Sequence, residues 1–237
     1  MDELDTYAVI LAGGSGSRFG GGQPKQLIRL AGHPILHHTL RRFDDPELTK
    51  GIVVPANPLW RSEIEDIVDS AVRRVPATVV DGGSDRNESI RNSIATLVDD
   101  EAKVLVHDGV RPLVSRSLIR RVVAELDHVR SVLPVIESAD PLATLDGSRV
   151  AFFSDRKQTF RGQSPQGFRL SDLRTTFAPE NDALTGGMTT VFEAMRAVIS
   201  DVETGVVEGD VNNLKITLPA DHMIAGRLLL DDDYNED

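Results

Sequence analysis

The sequence predicts an α/β fold with a mostly parallel central sheet, and three of its features carry that prediction. Short β-branched runs alternate with segments of helical period, which is the pattern of βαβ units. A glycine-rich turn follows the first of those runs directly. One stretch, Asp140 to Phe168, breaks the rhythm with polar residues, Gly and Pro, and reads as a hairpin arm.

In chain order, the expected strands are Ala8–Leu11, Gly51–Val54, Ala77–Val80, Val104–Val106 and Ser131–Val135. Ile64, Ile67, Val68, Ala71 and Val72 share one face at helical spacing, and Ile90, Ile94 and Leu97 share another. Two helix starts are marked by Ser84, just ahead of Asn87 and Glu88, and by Ser115, ahead of Leu118, Ile119, Val122, Val123 and Leu126. Inside the arm, Arg149–Phe153 is strand-like. Beyond it Thr189–Ile199 reads as a helix, Val202–Glu208 as a strand and Pro219–Leu230 as a closing helix. No internal repeat or low-complexity linker divides the chain, so residues 1–230 are expected to form one domain, with 140–168 as its arm.

With 237 residues and 40% hydrophobic content, the chain can bury a core of enzyme size. The absence of cysteine excludes disulfides, thiolate nucleophiles and cysteine metal sites, so chemistry must rest on carboxylates, Lys, Arg, His and the backbone. A formal net charge of -11 argues against a general nucleic-acid surface. No apolar run approaches bilayer length and the first residues are acidic, which points to a cytoplasmic protein without membrane partners. The acidic end, residues 231–237, reads as a solvated, disordered tail.

The first chemical signal is Leu11-Ala12-Gly13-Gly14-Ser15-Gly16-Ser17-Arg18-Phe19-Gly20, followed by Pro24-Lys25-Gln26. Glycines let a backbone approach phosphate oxygens with its N–H groups, and Arg18 and Lys25 add cations beyond what a bare βα turn requires. A dinucleotide fingerprint fails at Phe19, too bulky for the close helix contact, and no Gly-Lys-Ser/Thr triplet of a Walker loop occurs. The reading is a polyphosphate cradle.

Four further blocks follow: Asp81-Gly82-Gly83-Ser84-Asp85-Arg86-Asn87-Glu88-Ser89, Val106-His107-Asp108-Gly109-Val110-Arg111-Pro112, Gly162-Gln163-Ser164-Pro165-Gln166-Gly167-Phe168 and Asn213-Leu214-Lys215-Ile216-Thr217. In this order the five resemble the cytidylyltransferase family that contains 2-C-methyl-D-erythritol 4-phosphate cytidylyltransferase and ribitol-5-phosphate cytidylyltransferase. The resemblance implies a three-layer, Rossmann-like nucleotidyltransferase fold with a projecting β-arm, and transfer of CMP from CTP to a small polyol phosphate with release of pyrophosphate. It also implies Mg²⁺ or another divalent cation, and a homodimer in which the arm reaches the partner.

By that resemblance Leu11, Ala12, Gly13, Gly14 and Gly16 hold CTP, while Gly82, Ser84, Arg86 and Ser89 read the cytosine edge. Arg18, Lys25 and Lys215 are the catalytic cations, offsetting charge on the α-phosphoryl group. Asp108, at the carboxyl edge of an apolar strand, is assigned to the metal and the acceptor; a turn or cap role would be the better reading of an aspartate there without His107 and Arg111 beside it. Arg111 is expected to clamp the acceptor phosphate, and Thr185 and the arm residue Arg156 to touch the acceptor. Arg156 in Ser154-Asp155-Arg156-Lys157 also fits a solvated turn cation, and Lys215 lies in an alternating, strand-like segment.

Two positions depart from the family pattern. Gly186-Gly187 stands where an acidic residue usually follows Thr185, and Asn212 replaces an acidic residue ahead of Asn213-Leu214-Lys215. Gly13-Gly14, the 107–111 block, Gly162-Gln163 and Val135-Ile136-Glu137 with Asp140 lean toward the ribitol-phosphate branch, with Ser138 or Thr144 standing in for a threonine of the other. The methylerythritol branch, a hexose-1-phosphate nucleotidyltransferase and a non-catalytic nucleotide binder are the competing readings.

Overall fold

A computed structural model describes residues 5–14 and 23–230. Its elements, in order, are β1 (Thr6–Leu11), β2 (Arg29–Leu30), β3 (His33–Pro34), α1 (Ile35–Phe43), β4 (Gly51–Ala56), α2 (Arg61–Ala71), β5 (Ala77–Asp81), α3 (Arg86–Ile94), β6 (Lys103–Asp108) and α4 (Arg116–Glu125). There follow β7 (Ser131–Glu137), β8 (Ala143–Asp146), β9 (Arg149–Phe153), β10 (Phe160–Gly162), β11 (Gln166–Arg169), α5 (Leu170–Thr176), α6 (Asp182–Thr185), α7 (Val191–Val198), β12 (Thr204–Glu208) and α8 (Pro219–Leu230).

The main sheet runs β10-β7-β11-β6-β1-β4-β5, with β12 also on β7. Its β6-β1-β4-β5 half is parallel, as is the β7–β12 pair. All five expected strands form. Because successive side chains of a strand face opposite ways, Ala8 and Ile10 of β1 pack with α1, α2 and α4, while Val9 packs with α3, α5 and α7. Two helical layers thus sandwich the sheet, giving three layers.

The helices follow their apolar stripes. Ile64, Ile67, Val68 and Ala71 are the buried face of α2. Ser115 caps α4 by accepting from the Leu118 N–H, as expected. The cap of α3 sits one residue later than expected: Asp85, rather than Ser84, accepts from the Glu88 N–H. Thr190 and Glu193 form a reciprocal capping box at α7, again one residue beyond the expected start. Asp44, buried past the end of α1, accepts from the backbone N–H groups of Arg73, Arg74 and Val75 and so ties down the exit of α2.

The segment 140–168 divides in two. β8 and β9 form an antiparallel hairpin that turns at Gly147, whose φ of 57° suits glycine, and every residue of both strands is exposed. β10 and β11 instead return to the main sheet, both antiparallel to β7, and β11 also pairs antiparallel with β6. Among the described residues, no helix is long and apolar enough to cross a membrane. The terminal segments 1–4 and 231–237 lie outside the described residues.

Candidate active site

At the carboxyl ends of β1, β4, β5 and β6 lies a cavity of about 550 Å³, where open α/β sheets take their ligands. The strands meet closely at its floor. The Gly109 N–H donates to the Leu11 carbonyl at 3.0 Å, and a Cβ at position 109 would stand 2.7 Å from that oxygen, so only glycine fits. Leu11, Gly13 and Gly14 line the cavity, whereas Ala12 is buried beneath the loop, its N–H donating to Pro55. Gly16 and Arg18, expected at the cradle, lie outside the described residues.

The opposite wall is the turn into α3. The Gly82 N–H is engaged by the Ala56 carbonyl at 2.7 Å. A Cβ at Gly83 would fall 2.3 Å from Glu88 Cβ. Glu88 Oε2 accepts from both the N–H and the hydroxyl of Ser84, bonds that hold the carboxyl below its ordinary pKa. Ser89 accepts from the Gly83 N–H at 3.0 Å and donates to the Asp85 carbonyl at 2.8 Å. Its hydroxyl therefore shapes the turn as well as facing the cavity. Arg86 donates through Nη2 to Gln166, while its buried Nη1 has no acceptor among the described residues. Burial pulls its pKa down, against the opposing pull of Asp108.

Asp108 closes the third side. Its Oδ2 lies 3.0 Å from both Arg111 Nε and Lys215 Nζ. Burial alone would raise the carboxyl's pKa, but Lys215, Arg111, Arg86 and His107 outweigh it and hold the group well below the usual carboxylate range. Lys25 also enters the cavity, its Nζ 3.3 Å from the Ile216 carbonyl. Among the described residues, the cations Lys25, Arg86 and Lys215 thus line a cavity with the deeply ionised Asp108 and with Asp85, a setting that suits polyanions.

Behind Asp108 stands a buried network with no counterpart in the sequence reading. Ser164 accepts from the Asp108 N–H at 3.2 Å and shares a 3.0 Å bond with His107 Nδ1, while His107 Nε2 meets the Arg111 carbonyl at 3.2 Å. One neutral tautomer satisfies all three: Nε2–H donates to Arg111, and Nδ1 accepts from the Ser164 hydroxyl. Burial pushes the His107 pKa down to about 4, which keeps it neutral. Asn213 donates to the Ser164 carbonyl, and Gln163 exchanges two hydrogen bonds with the backbone of Asp210. Apart from His107 and Arg111, four residues apart, these partners lie 47 to 57 residues apart, so local sequence carries no signal of them.

Several expected acceptor residues sit elsewhere. Arg111 is buried off the cavity wall, its guanidinium committed to Asp108 and to the Asn213 carbonyl, so it orients Asp108 instead of standing open as a phosphate clamp. Thr185 is 6% exposed, with its hydroxyl turned back to the Asn181 carbonyl. Arg156, which the resemblance places at a partner's acceptor site, occupies an exposed turn after the hairpin and donates to the Ala139 carbonyl. Lys215 reaches the cavity from an extended segment outside any strand, which corrects the strand expectation. Gly186, where a carboxylate was expected, closes the helix with an ordinary φ of -58°, and it is the next residue, Gly187, whose φ of 79° suits glycine. Asn212 donates its N–H to Asp210 and does not reach the cavity. Gln26, Asn57 and Asp85, to which the sequence assigns no role, also line the cavity.

Residues 6–231 match the family model described as 2-C-methyl-D-erythritol 4-phosphate cytidylyltransferase, IspD. The chain belongs to the IspD family. It is 37% identical over 227 residues to the 2-C-methyl-D-erythritol 4-phosphate cytidylyltransferase of Cereibacter sphaeroides, covering 95% of this chain and 97% of that protein. It is also 31% identical over 235 residues to the Haemophilus influenzae bifunctional ribulose 5-phosphate reductase/CDP-ribitol pyrophosphorylase Bcs1, covering 96% of this chain but 49% of that one. Among solved structures, the 4-diphosphocytidyl-2C-methyl-D-erythritol synthase of Anaerococcus prevotii superposes with a TM-score of 0.79 at 24% identity, covering 96% of this chain and 99% of that one. IspD membership makes the chain a CTP-dependent nucleotidyltransferase, and the shared fold is the expected α/β architecture with a mostly parallel sheet.

Proposed function

We propose that the chain transfers CMP from CTP to 2-C-methyl-D-erythritol 4-phosphate, releasing pyrophosphate. The match of an IspD family model to nearly the whole chain carries this choice of acceptor and outweighs the earlier lean to ribitol phosphate. The site supports the chemistry. An oxygen of the acceptor phosphate attacks the α-phosphorus of CTP, and the bond from that phosphorus to the bridging oxygen breaks. The nucleophile is already ionised, so positioning and charge stabilisation are the main demands. Lys25 and Lys215 meet the demand for charge stabilisation, and the Gly82–Ser89 turn with the unpartnered Arg86 Nη1 offers hydrogen bonds to the nucleotide.

Mg²⁺ belongs to the same reading. It commonly takes one or two carboxylates with substrate phosphates and water. Asp108 on the cavity wall offers such a carboxylate, and no group of three or more ligating side chains among the described residues forms a cage of its own. The residues fit a cation that arrives with the triphosphate, held by Asp108, whose bound charge would neutralise the phosphates. A homodimer joined through the hairpin is part of the proposal, supported by exposed Leu145, Val150, Phe152 and Phe153.

The deciding assay supplies CTP and Mg²⁺ with methylerythritol 4-phosphate, ribitol 5-phosphate or glycerol 3-phosphate separately, and reads pyrophosphate. We expect kcat/KM for the first to exceed the others at least about tenfold. The CDP-ribitol relative makes ribitol 5-phosphate the second reading, and a preference for it would replace the first.

A further inference from the structure

Gln26 sits beside Lys25 in a short 3-10 turn, only 3% exposed, and still lines the cavity. Its Nε2 donates to two carbonyls of the loop after β1, that of Ala12 and that of Gly14, the latter at 3.1 Å. A carboxamide nitrogen carries two hydrogens, so both are spent on this loop. The loop's root is held on two further sides, by the Ala12 N–H on the Pro55 carbonyl and by the Gly109 N–H on the Leu11 carbonyl.

The direction of one donor follows from peptide geometry. In a planar trans peptide the N–H points opposite to the C=O. With the Ala12 carbonyl drawn toward Gln26, the Gly13 N–H faces away from it. Among the described residues neither that N–H nor the N–H of Gly14 has an acceptor. Glycine has the widest conformational range of any residue, so a glycine loop left to itself presents its donors in many directions. A buried neutral amide bridging two of its carbonyls removes that freedom before a ligand arrives, and preorganisation of this kind translates into affinity.

We propose that Gln26 is a positioning residue, which holds the glycine loop so that its N–H groups face the phosphates of the incoming nucleotide. The proposal rests on the reading of this cavity as the CTP site. Because Gln26 and Lys25 share one turn, the same two hydrogen bonds also tie the turn that carries Lys25 to the loop.

Two variants of nearly unchanged size test it. Gln26→Met keeps the volume and removes the donors, while Gln26→Glu turns an acceptor toward two acceptors. CTP affinity is measured by calorimetric titration, and kcat and the two KM values by pyrophosphate release. At pH 8 or so we expect CTP affinity to fall roughly tenfold to a hundredfold in both variants, since two buried carbonyls lose their donor. The acceptor KM should stay within about twofold. Burial among carbonyls raises the pKa of a glutamic acid, so lowering the pH toward about 6 should restore an O–H donor and narrow the Gln26→Glu deficit relative to the native chain. Gln26→Met should show no such recovery.

A side chain that merely packed would be replaced by Met without loss of CTP affinity, and that result would overturn the proposal. So would a Gln26→Glu deficit that is the same at both pH values. Native chain that fails to bind CTP sinks the functional reading itself; native binding with indifferent variants removes only the role of Gln26.

Discussion

Lys215 Nζ lies 3.0 Å from Oδ2 of Asp108, the oxygen that Arg111 Nε meets at the same distance. The carboxylate thus holds one cation that is buried and one that is half exposed at the cavity. That arrangement divides the work between the two basic residues: Arg111 fixes Asp108, and Lys215 remains available to a ligand.

Lys25→Ala and Lys215→Ala should each lower turnover by about 10²–10³, the effect of removing one preorganised donor from a developing oxyanion. Steady-state pyrophosphate release with saturating CTP checks this. Near-native turnover in either variant would remove that lysine from the chemistry.

Asp108→Asn should abolish most turnover and also weaken the fold, because it leaves the buried Arg111 without its counter-charge. Allowing for the exposure of Lys215, a cost of about 2 kcal/mol is expected, and a melt should show Tm lower by roughly 4–8 °C. An unchanged Tm would mean that the ion pairs contribute nothing to stability.

Stability should fall as pH is lowered from about 6.5 to about 4, the window in which unfolded His107 takes up a proton and folded His107 does not. The sign follows from linkage: the unfolded state binds more protons there, so acid favours it. Asp108, with its folded pKa depressed, adds a loss only below about pH 4. His107→Gln should flatten the slope of Tm against pH within the upper window, and an identical slope would show that His107 is not its source.

Gly83→Ala should cost about 1–3 kcal/mol, as overpacking does, since its Cβ would overlap Cβ and Cγ of Glu88. Gly14→Ala serves as the contrast, because no atom of the described residues stands within 4 Å of the added carbon. Paired thermal melts decide, and equal Tm values for the two variants would contradict the crowding at Gly83.

How far the sequence revealed this molecule depended on range. Strands β1, β4, β5, β6 and β7 and the stripes of α2, α3 and α4 were legible because their periodicity is local. β11 escaped because four residues following Pro165 show no usable alternation, and its place between β6 and β7 is decided by tertiary pairing. α1 escaped as well: it opens after Pro34 with two histidines in its first turns. In the site, that Gly13, Gly14, Lys25, Asp108 and the turn into α3 would meet was legible from the order of the five blocks and the family they resemble. That Arg111 would face inward and Thr185 be buried could not, since both depend on partners elsewhere in the chain or on helix packing.

The joint at Gly162–Ser164 links the exposed hairpin to the loop that carries Lys215, through Gln163 on Asp210 and Asn213 on Ser164. Along this chain, tolerance to length change should therefore be sharply graded. An extra residue at the Gly147 turn only lengthens a loop tip in water. An extra residue between Gly162 and Gln166 reverses which face each following side chain presents, and it takes Gln163, Ser164 and the support of Asp108 with it. Within its own subunit the tip of the hairpin tolerates a change of length, and its root does not.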